Sequence, residues 1–143
     1  MICFEIPGKP QGKARARTFY NSKLGKMQSI TPENTVLYEN LIKHCYLETK
    51  CEPFLDKVPL EVEITACFPI PKSATKKDRE RIKLMEYYPT KKPDADNVAK
   101  VICDALNGVS YGDDTQIIKL SILKAYTEEQ PRVQVFIEEI KEG

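Results

Sequence analysis

The sequence predicts an α+β fold: a mixed sheet of about four strands with helices packed against it, plus a basic N-terminal hairpin arm. Apolar and polar residues alternate over 58–68, 116–125 and 132–140, which is the period of strands that bury one face. Apolar residues recur at spacings of three and four over 32–50 and 94–107, as in helices that bury one stripe. The length of 143 residues suits one core, so 1–143 is predicted to be a single domain.

Four strands are predicted, near 1–6, 58–68, 116–125 and 132–140. In the second, the even-numbered residues from Leu60 to Phe68 are apolar and face the core. The last two strands follow one another across a short acidic loop, and we expect them to pair as a hairpin.

The first helix is predicted near 32–50. Thr31 is expected to be its N-cap, because a proline follows at the first helical position. Leu37, Leu41 and Cys45 recur every four residues and are expected to form the centre of its buried stripe, which Val36, Tyr38 and Ile42 widen.

The N-terminal segment predicts a basic arm over 14–31. Lys13, Arg15 and Arg17 alternate with alanines, so an extended chain places their charges on one face. A solvated loop is the alternative explanation. We expect a hairpin that binds DNA phosphates, with Tyr20 available to stack on a base.

A second basic segment spans 72–92. It contains a helix predicted near 74–86, whose few apolar residues leave most of its surface exposed. Such helices are often only solvated, but this one precedes the polar stretch described below. The candidate DNA contacts in this segment are Lys76, Lys77, Arg79, Lys91 and Lys92.

Composition excludes several classes of protein. The net charge is only +1, so the two basic segments are balanced elsewhere, partly by an acidic tail. No apolar run has the length of a membrane span, and no signal peptide is evident, so we expect a cytoplasmic protein with no membrane partner. Five cysteines without a CxxC pair predict reduced, mostly buried thiols. His44, the single histidine, is expected to be a surface or packing residue.

The stretch 93–116 carries the candidate chemistry. Asp94 and Asp96 open the helix predicted near 94–107, and Asp113 and Asp114 follow the loop after it. Carboxylates brought this close repel one another unless a cation joins them, and oxygen ligands suit hard ions such as Mg²⁺.

Lys100 lies between the two pairs and could stabilise charge that develops on a phosphate. A purely structural alternative also exists: Asp94 or Asp96 could cap the helix, and Lys100 could form ion pairs with Asp96 and Asp104 four residues away.

Other acidic motifs fit poorly. An EF-hand loop beginning at Asp94 would need an oxygen ligand, a glycine and a glutamate where Val98, Ala99 and Ala105 stand. A phosphatase nucleophile would follow a buried apolar strand, whereas lysines and prolines precede Asp94. No phosphate-binding glycine loop is present. Metal-assisted phosphodiester hydrolysis therefore remains the working hypothesis.

At this stretch the sequence resembles the RusA-type Holliday-junction resolvases, which are crossover junction endodeoxyribonucleases. The resemblance covers about 25 residues, from Pro93 to Ile117. The basic N-terminal segment is also similar to that of many phage and prophage members. The matching positions are Asp94, Asp96, Asn97, Lys100, Asp104 to Gly108, Tyr111, Asp113, Asp114, Gln116 and Ile117.

The resemblance implies a homodimeric endonuclease that nicks four-way DNA junctions symmetrically with Mg²⁺ or Mn²⁺, in DNA recombination and repair. By motif, Asp94, Asp96 and Asp114 would be catalytic metal-binding carboxylates, Lys100 the assisting lysine, and Asp113 a second ligand or an orienting residue. The implied partners are branched DNA and a second copy of the chain, with no small-molecule cofactor. A two-fold dimer suits two symmetric cuts, and we expect its interface in the apolar sheet or the first long helix.

Three alternatives remain open at this stage. The first is a less selective metal-dependent nuclease for flaps or duplex DNA. The second is a non-catalytic DNA-binding protein whose carboxylates hold a structural ion. The third is a metal-binding interaction module that does not bind DNA.

Overall fold

A mixed four-stranded sheet forms the centre of the protein, as described by a computed structural model that covers residues 1–14 and 17–141. Helices cover one face of this sheet, and a separate two-stranded hairpin projects from the N-terminal segment. The predicted α+β class is confirmed. The strands are β1 (Ile2–Pro7), β2 (Arg17–Asn21), β3 (Lys26–Ile30), β4 (Leu60–Pro69), β5 (Ile117–Thr127) and β6 (Arg132–Glu139). The helices are α1 (Glu33–Leu47), α2 (Lys76–Lys83) and α3 (Ala95–Leu106), with a 3₁₀ turn at Asp114–Gln116.

The strand order is β1-β6-β4-β5, which corrects the expected hairpin of the last two strands. β4 lies between them: it pairs in parallel with β5 and antiparallel with β6. A parallel pair needs a long crossover, and the segment holding α2 and α3 provides it. Alternation identifies a strand but not its neighbour, so the sequence pattern could not supply this order.

The core lies between the sheet and the helices. Ile2, Phe4 and Ile6 of β1 are buried in alternation, and the predicted inward face of β4 is confirmed from Leu60 to Phe68. β6 is buried at Val133, Val135 and Ile137, as expected of a strand with neighbours on both sides.

Helix α1 packs on the core with a face rotated from the predicted one. Its buried residues are Thr35, Tyr38, Ile42 and Tyr46, whereas Leu37 is 59% exposed. The tyrosines reach the core with their large rings, one of them edge-on to Phe4, and shift the stripe by one position. Pro32, not Thr31, occupies the N-cap position, and no side chain caps this end.

Helix α2 is mostly exposed, as predicted, but it is shorter than the predicted 74–86. Thr75 and Asp78 form a reciprocal capping box at its first turn, through hydrogen bonds of 3.0 and 3.1 Å. Ile82 is the buried residue of this helix. Local capping therefore defines its start, because little apolar surface holds it to the sheet.

The predicted arm contains the antiparallel hairpin β2–β3. The amides of Leu24 and Gly25 donate to the Asn21 carbonyl, and Gly25 closes the turn with φ +64°. Tyr20 is 63% exposed, as a stacking residue requires. Arg15 lies outside the described residues, and Arg17 is described only by its place in β2.

The five cysteines are free thiols. Cys67 and Cys103 are buried, but Cys3 and Cys51 are exposed, so the expectation of mostly buried thiols was wrong. Burial raises the pKa of Cys103 to about 11, which keeps this thiol protonated. His44 is exposed and pairs with Glu48 at 3.0 Å, as expected of a surface residue. Among the described residues, no helix has the length and apolar character that crossing a membrane requires.

Candidate active site

Helix α3 presents a polar stripe opposite its buried face. Val98, Val101, Ile102, Ala105 and Leu106 anchor the helix in the core. The stripe itself consists of Asp96, Lys100 and Asp104, spaced four residues apart so that they lie one turn above another.

Asp94 occupies the N-cap position of α3 with extended backbone, yet its side chain makes no capping hydrogen bond. Helix capping therefore does not account for this carboxylate. The Asp94 side chain is exposed at the start of α3, where its oxygens can meet other groups.

The loop after α3 is held to that helix by Tyr111. Its buried hydroxyl donates to the Cys103 carbonyl at 2.7 Å, and the Gly108 amide donates to the Tyr111 carbonyl at 2.8 Å. Gly108 has φ +76°, a conformation that favours glycine, so the chain can reverse directly after the helix. These contacts fix the position of the loop that carries Asp113 and Asp114.

Gln116 organises the end of this loop. Its side-chain oxygen accepts from the amides of Gly112 and Asp113, each at 3.1 Å. Its side-chain nitrogen donates to the carbonyls of Leu55 and Val58 at 3.0 and 3.1 Å. A buried amide thus joins the carboxylate loop to the segment before β4.

Asp113 and Asp114 have opposite electrostatic environments. The Thr115 amide donates to Asp113 at 3.1 Å and is the main cause that lowers the pKa of Asp113. Desolvation is the main cause that raises the pKa of Asp114, and the adjoining carboxylates of Asp113 and Asp104 raise it further. Lys100 lowers the pKa of Asp114 in part. The bond from the Tyr111 hydroxyl to the Cys103 carbonyl holds this loop against α3.

The donor chemistry of these residues fits a hard divalent cation. They offer carboxylate oxygens, and the repulsion felt by Asp114 is of the kind that a bound cation would relieve. Within 1–14 and 17–141, however, no three His, Cys, Asp or Glu side chains are grouped closely enough to enclose an ion. The assignment of Asp94, Asp96, Asp113 and Asp114 as metal ligands therefore stays a prediction.

A polar groove of about 830 Å³ opens at the start of α3 between segments 9–14 and 92–97. Gly12 lies close against α3: a Cβ there would be 3.0 Å from the Cβ atoms of both Pro93 and Asn97. The Lys13 amide donates to the Asn97 carbonyl at 2.9 Å. The base of the N-terminal arm is thus fixed against the helix that carries Asp94.

The predicted DNA-binding residues fall into separate places. Lys92 lines the groove beside Asp94, and Lys91 is exposed next to it. Lys13 also lines the groove, but its ammonium group pairs with Glu39 and Asp104 at 3.2 and 3.3 Å. Lys13 therefore supports the base of the arm in addition to any role with DNA.

Lys76, Lys77 and Arg79 are exposed on α2. This helix reaches the far end of β5, where Lys83 approaches Glu128 at 3.9 Å. Asp114 precedes the other end of β5, an 11-residue strand about 35 Å long, so Arg79 and Lys83, which lie beside Thr127 and Glu128, are at the end of the strand away from Asp114.

Sequence reasoning missed the roles of Gln116 and Gly12. Gln116 is one of the positions that match the RusA pattern, and this match was the signal available in the sequence. Its bonds to residues 61 and 58 positions earlier in the chain become visible only once the fold is known. The ion pair expected between Lys100 and Asp104 is present at 3.4 Å.

The family profile described as "Endodeoxyribonuclease RusA" matches residues 7–138, which span the arm base, α3 and the carboxylate loop. The chain belongs to the RusA family of endodeoxyribonucleases. It is also similar to the uncharacterized protein YqaN of Bacillus subtilis (strain 168), with 32% identity over 141 residues that cover 97% of this chain and 96% of that protein. This similarity is consistent with the expected phage- or prophage-like member.

Membership in the RusA family defines the chemistry of the site at a coarse level. The family consists of Holliday-junction-resolving endodeoxyribonucleases that depend on divalent metal, so the chain is a phosphodiester hydrolase that acts on branched DNA. The polar stripe of α3 and the Asp113–Asp114 loop both lie inside the matched range.

Proposed function

We propose that this chain resolves four-way DNA junctions by paired symmetric nicks, using Mg²⁺ with Mn²⁺ as a substitute, in DNA recombination and repair. The observation that carries the proposal is the RusA profile match across residues 7–138, which contains the α3 stripe and the Asp113–Asp114 loop. The neighbouring carboxylates of Asp113 and Asp104, which raise the pKa of Asp114, support it. Crowded carboxylates are unfavourable in a merely structural site, but they suit a site that receives a cation.

Asp94, Asp96 and Asp114 would hold the metal, with Asp113 as a supporting ligand. The bound cation would supply charge neutralisation at the scissile phosphate and activate a water. Lys100, on the exposed side of α3, would donate from its ammonium group to a phosphate oxygen and stabilise the charge that develops there.

The groove between segments 9–14 and 92–97 is the proposed path of the cleaved strand. Lys9 and Lys92 line it, and Asp94 lies at its edge. Lys91 would add charge beside it, and Arg15 and Arg17 would extend the contact with phosphates along the arm. The exposed Tyr20 supports stacking on an unpaired base near the branch.

The cations of α2 fit a different part of the substrate. Because they lie near the far end of β5, Lys76, Lys77 and Arg79 suit a neighbouring duplex arm better than the cleaved strand. A four-way junction presents several duplex arms to one protein, whereas a simple duplex presents one.

A second copy of the chain is the proposed partner, and β5 is the proposed interface. β5 is an edge strand of 11 residues that exposes Ile118, Leu120 and Leu123, a combination that favours pairing with another strand. Antiparallel pairing of β5 with its own copy creates a two-fold axis and one continuous sheet. The two sites, each directly before β5, would then be related by that axis.

Hydrodynamic mass tests this interface. Leu120→Lys should convert a dimer to a folded monomer, and Leu84→Lys, at an exposed position of the α2 C-cap, is the matched control. A wild-type monomer at micromolar concentration would overturn the dimer. A Leu120→Lys variant that remains dimeric would overturn the β5 interface.

The activity is tested by incubating wild type, Asp96→Asn and Lys100→Ala with a labelled four-way junction and with a matched linear duplex, with and without Mg²⁺. We expect Mg²⁺-dependent cutting of the junction by wild type and strong losses in both variants. Equal cutting of junction and duplex would favour the less selective nuclease. Undiminished cutting by Asp96→Asn would remove this carboxylate from the site.

The arm is tested by replacing Arg15 and Arg17 together with alanine. Removing two phosphate contacts should weaken junction binding and reduce the slope of log affinity against log salt by about 2. An unchanged slope would show that the arm does not bind phosphates.

A further inference from the structure

One carboxylate beside the candidate site joins two lysines. The Oδ2 atom of Asp104 lies 3.3 Å from Lys13 Nζ and 3.4 Å from Lys100 Nζ. Its side chain is 26% exposed, less than half the 60% of Lys100. Asp104 is therefore a partly shielded anchor for a lysine that is otherwise mostly in solvent.

The first lysine ties Asp104 to the base of the arm. Lys13 also pairs with Glu39 of α1 at 3.2 Å, and its amide bonds to α3 through Asn97. The next residue, Ala14, donates its amide to the Thr35 hydroxyl at 3.2 Å. Asp104 thus belongs to a connected set of contacts between arm, α1 and α3.

The second lysine ties Asp104 to the proposed chemistry. A lysine side chain has a flexible four-carbon stem, so an exposed lysine samples many positions unless a partner restrains it. Lys100 and Asp104 lie four residues apart on α3, and the Tyr111 hydroxyl joins the loop that follows to the same part of the helix through the Cys103 carbonyl. An anchor at this spacing holds the ammonium group near the Asp113–Asp114 loop.

We propose that Asp104 is a positioning residue for strand cleavage: its carboxylate holds Lys100 beside the carboxylate loop and connects it to Lys13 at the base of the arm. The proposal rests on the proposed function, in which Lys100 stabilises the phosphate. Asp104 acts through Lys100, and the two ammonium groups on its Oδ2 set it apart from the proposed metal ligands.

Single-turnover cleavage of a four-way junction by Asp104→Asn tests this role. Asparagine keeps the shape of the Asp104 side chain and removes its charge. Without this ion pair Lys100 can sample its other rotamers, so we expect the cleavage rate to fall about tenfold. Junction binding, measured with Ca²⁺ in place of Mg²⁺, should change by less than about threefold, because the phosphate-binding cations remain. Glu63→Gln, on the sheet face away from the helices, is the matched control and should cleave as wild type does.

A double-mutant cycle identifies the residue through which Asp104 acts. Because Asp104 would work by holding Lys100, Asp104→Asn combined with Lys100→Ala should cleave within about twofold of Lys100→Ala alone. If the loss of rate in the double variant equals the product of the two single losses, the residues act independently and the proposal is overturned. A wild-type cleavage rate for Asp104→Asn would also overturn it.

Lysine labelling in metal-free protein gives a readout that does not depend on cleavage. Reductive methylation followed by mass spectrometry should modify Lys100 several-fold faster in Asp104→Asn than in wild type, while the exposed Lys72 should be unchanged. Unchanged labelling of Lys100 would overturn the anchor. If wild type failed to cleave the junction, the proposed function and the role in cleavage would fall together, and the labelling would still decide whether Asp104 restrains Lys100.

Discussion

Replacing Gln116 with glutamate should destabilise the protein and disorder its carboxylate loop. The new side chain keeps an acceptor for the amides of Gly112 and Asp113 but loses both hydrogens donated to Leu55 and Val58. Leaving a buried carbonyl without its donor costs about 1–3 kcal/mol. Gln116 is 8% exposed, but Leu55 is 77% exposed, so water can partly replace the bond lost there, and the free energy of unfolding should fall by about 2–4 kcal/mol.

Urea denaturation at pH 7 measures this change, with Gln28→Glu as the control. Gln28 accepts from Asn21 at 2.9 Å in the hairpin, so a carboxylate preserves its bond and should shift stability by less than about 0.5 kcal/mol. Junction cleavage by Gln116→Glu should fall as well, since the loop holding Asp114 loses its attachment.

The stability of Gln116→Glu at lower pH checks independently whether the introduced carboxylate causes the loss. The introduced carboxylate faces two carbonyls, so its pKa in the folded protein should be raised above the unfolded value of about 4.3. The penalty is therefore present at neutral pH and should shrink as pH falls through the raised pKa, where the carboxyl regains a hydrogen to donate. A Gln116→Glu protein as stable as wild type at pH 7 would refute the assigned role of Gln116.

Four further predictions concern the same contacts. Gly12→Ala should lower stability by about 1–3 kcal/mol in urea denaturation, because its Cβ would press on Pro93 and Asn97; an unchanged protein would mean that the arm base does not pack there. Tyr111→Phe should lower it by about 1 kcal/mol through loss of the bond to the Cys103 carbonyl, and no loss would show that this bond does not hold the loop. Asp114→Asn should leave metal-free protein as stable as wild type or up to about 0.5 kcal/mol more stable, while abolishing cleavage, whereas a loss above about 1 kcal/mol would indicate a structural carboxylate. In wild type, metal affinity measured by calorimetry should fall as pH drops through the raised pKa of Asp114, since a proton competes with the cation, and a pH-independent affinity would contradict this.

Periodicity predicted the helices and strands well, because the pattern of buried residues within one element can be read from the sequence of that element alone. Alternation in β4 and the three-and-four spacing in α3 gave both the type of element and its buried face. In α1 the same reasoning centred the stripe on Leu37 and put Tyr38 only at its margin, although Tyr38 and Tyr46 are the residues that fill the core. Side-chain size and the shape of the opposing sheet decided that register, and neither is visible in a hydrophobicity pattern.

Long-range order was outside the reach of the sequence pattern. β6 inserts between β1 and β4, so the β5–β6 hairpin suggested by chain proximity does not form. The acidic stretch itself was identifiable from spacing, and it lies inside the range that the family profile matches. The contact of Gly12 with α3 and the two lysines on Asp104 arise only when distant segments meet.

Mapping the nicks in a four-way junction labelled in turn on each strand tests the central proposal most directly. Wild type with Mg²⁺ should cut two opposing strands at positions related by the two-fold symmetry of the junction, and at similar rates. Asp96→Asn should leave all four strands intact under the same conditions. Cuts scattered over the strands or confined to one strand, or the same pair of cuts by Asp96→Asn, would contradict symmetric resolution at this site.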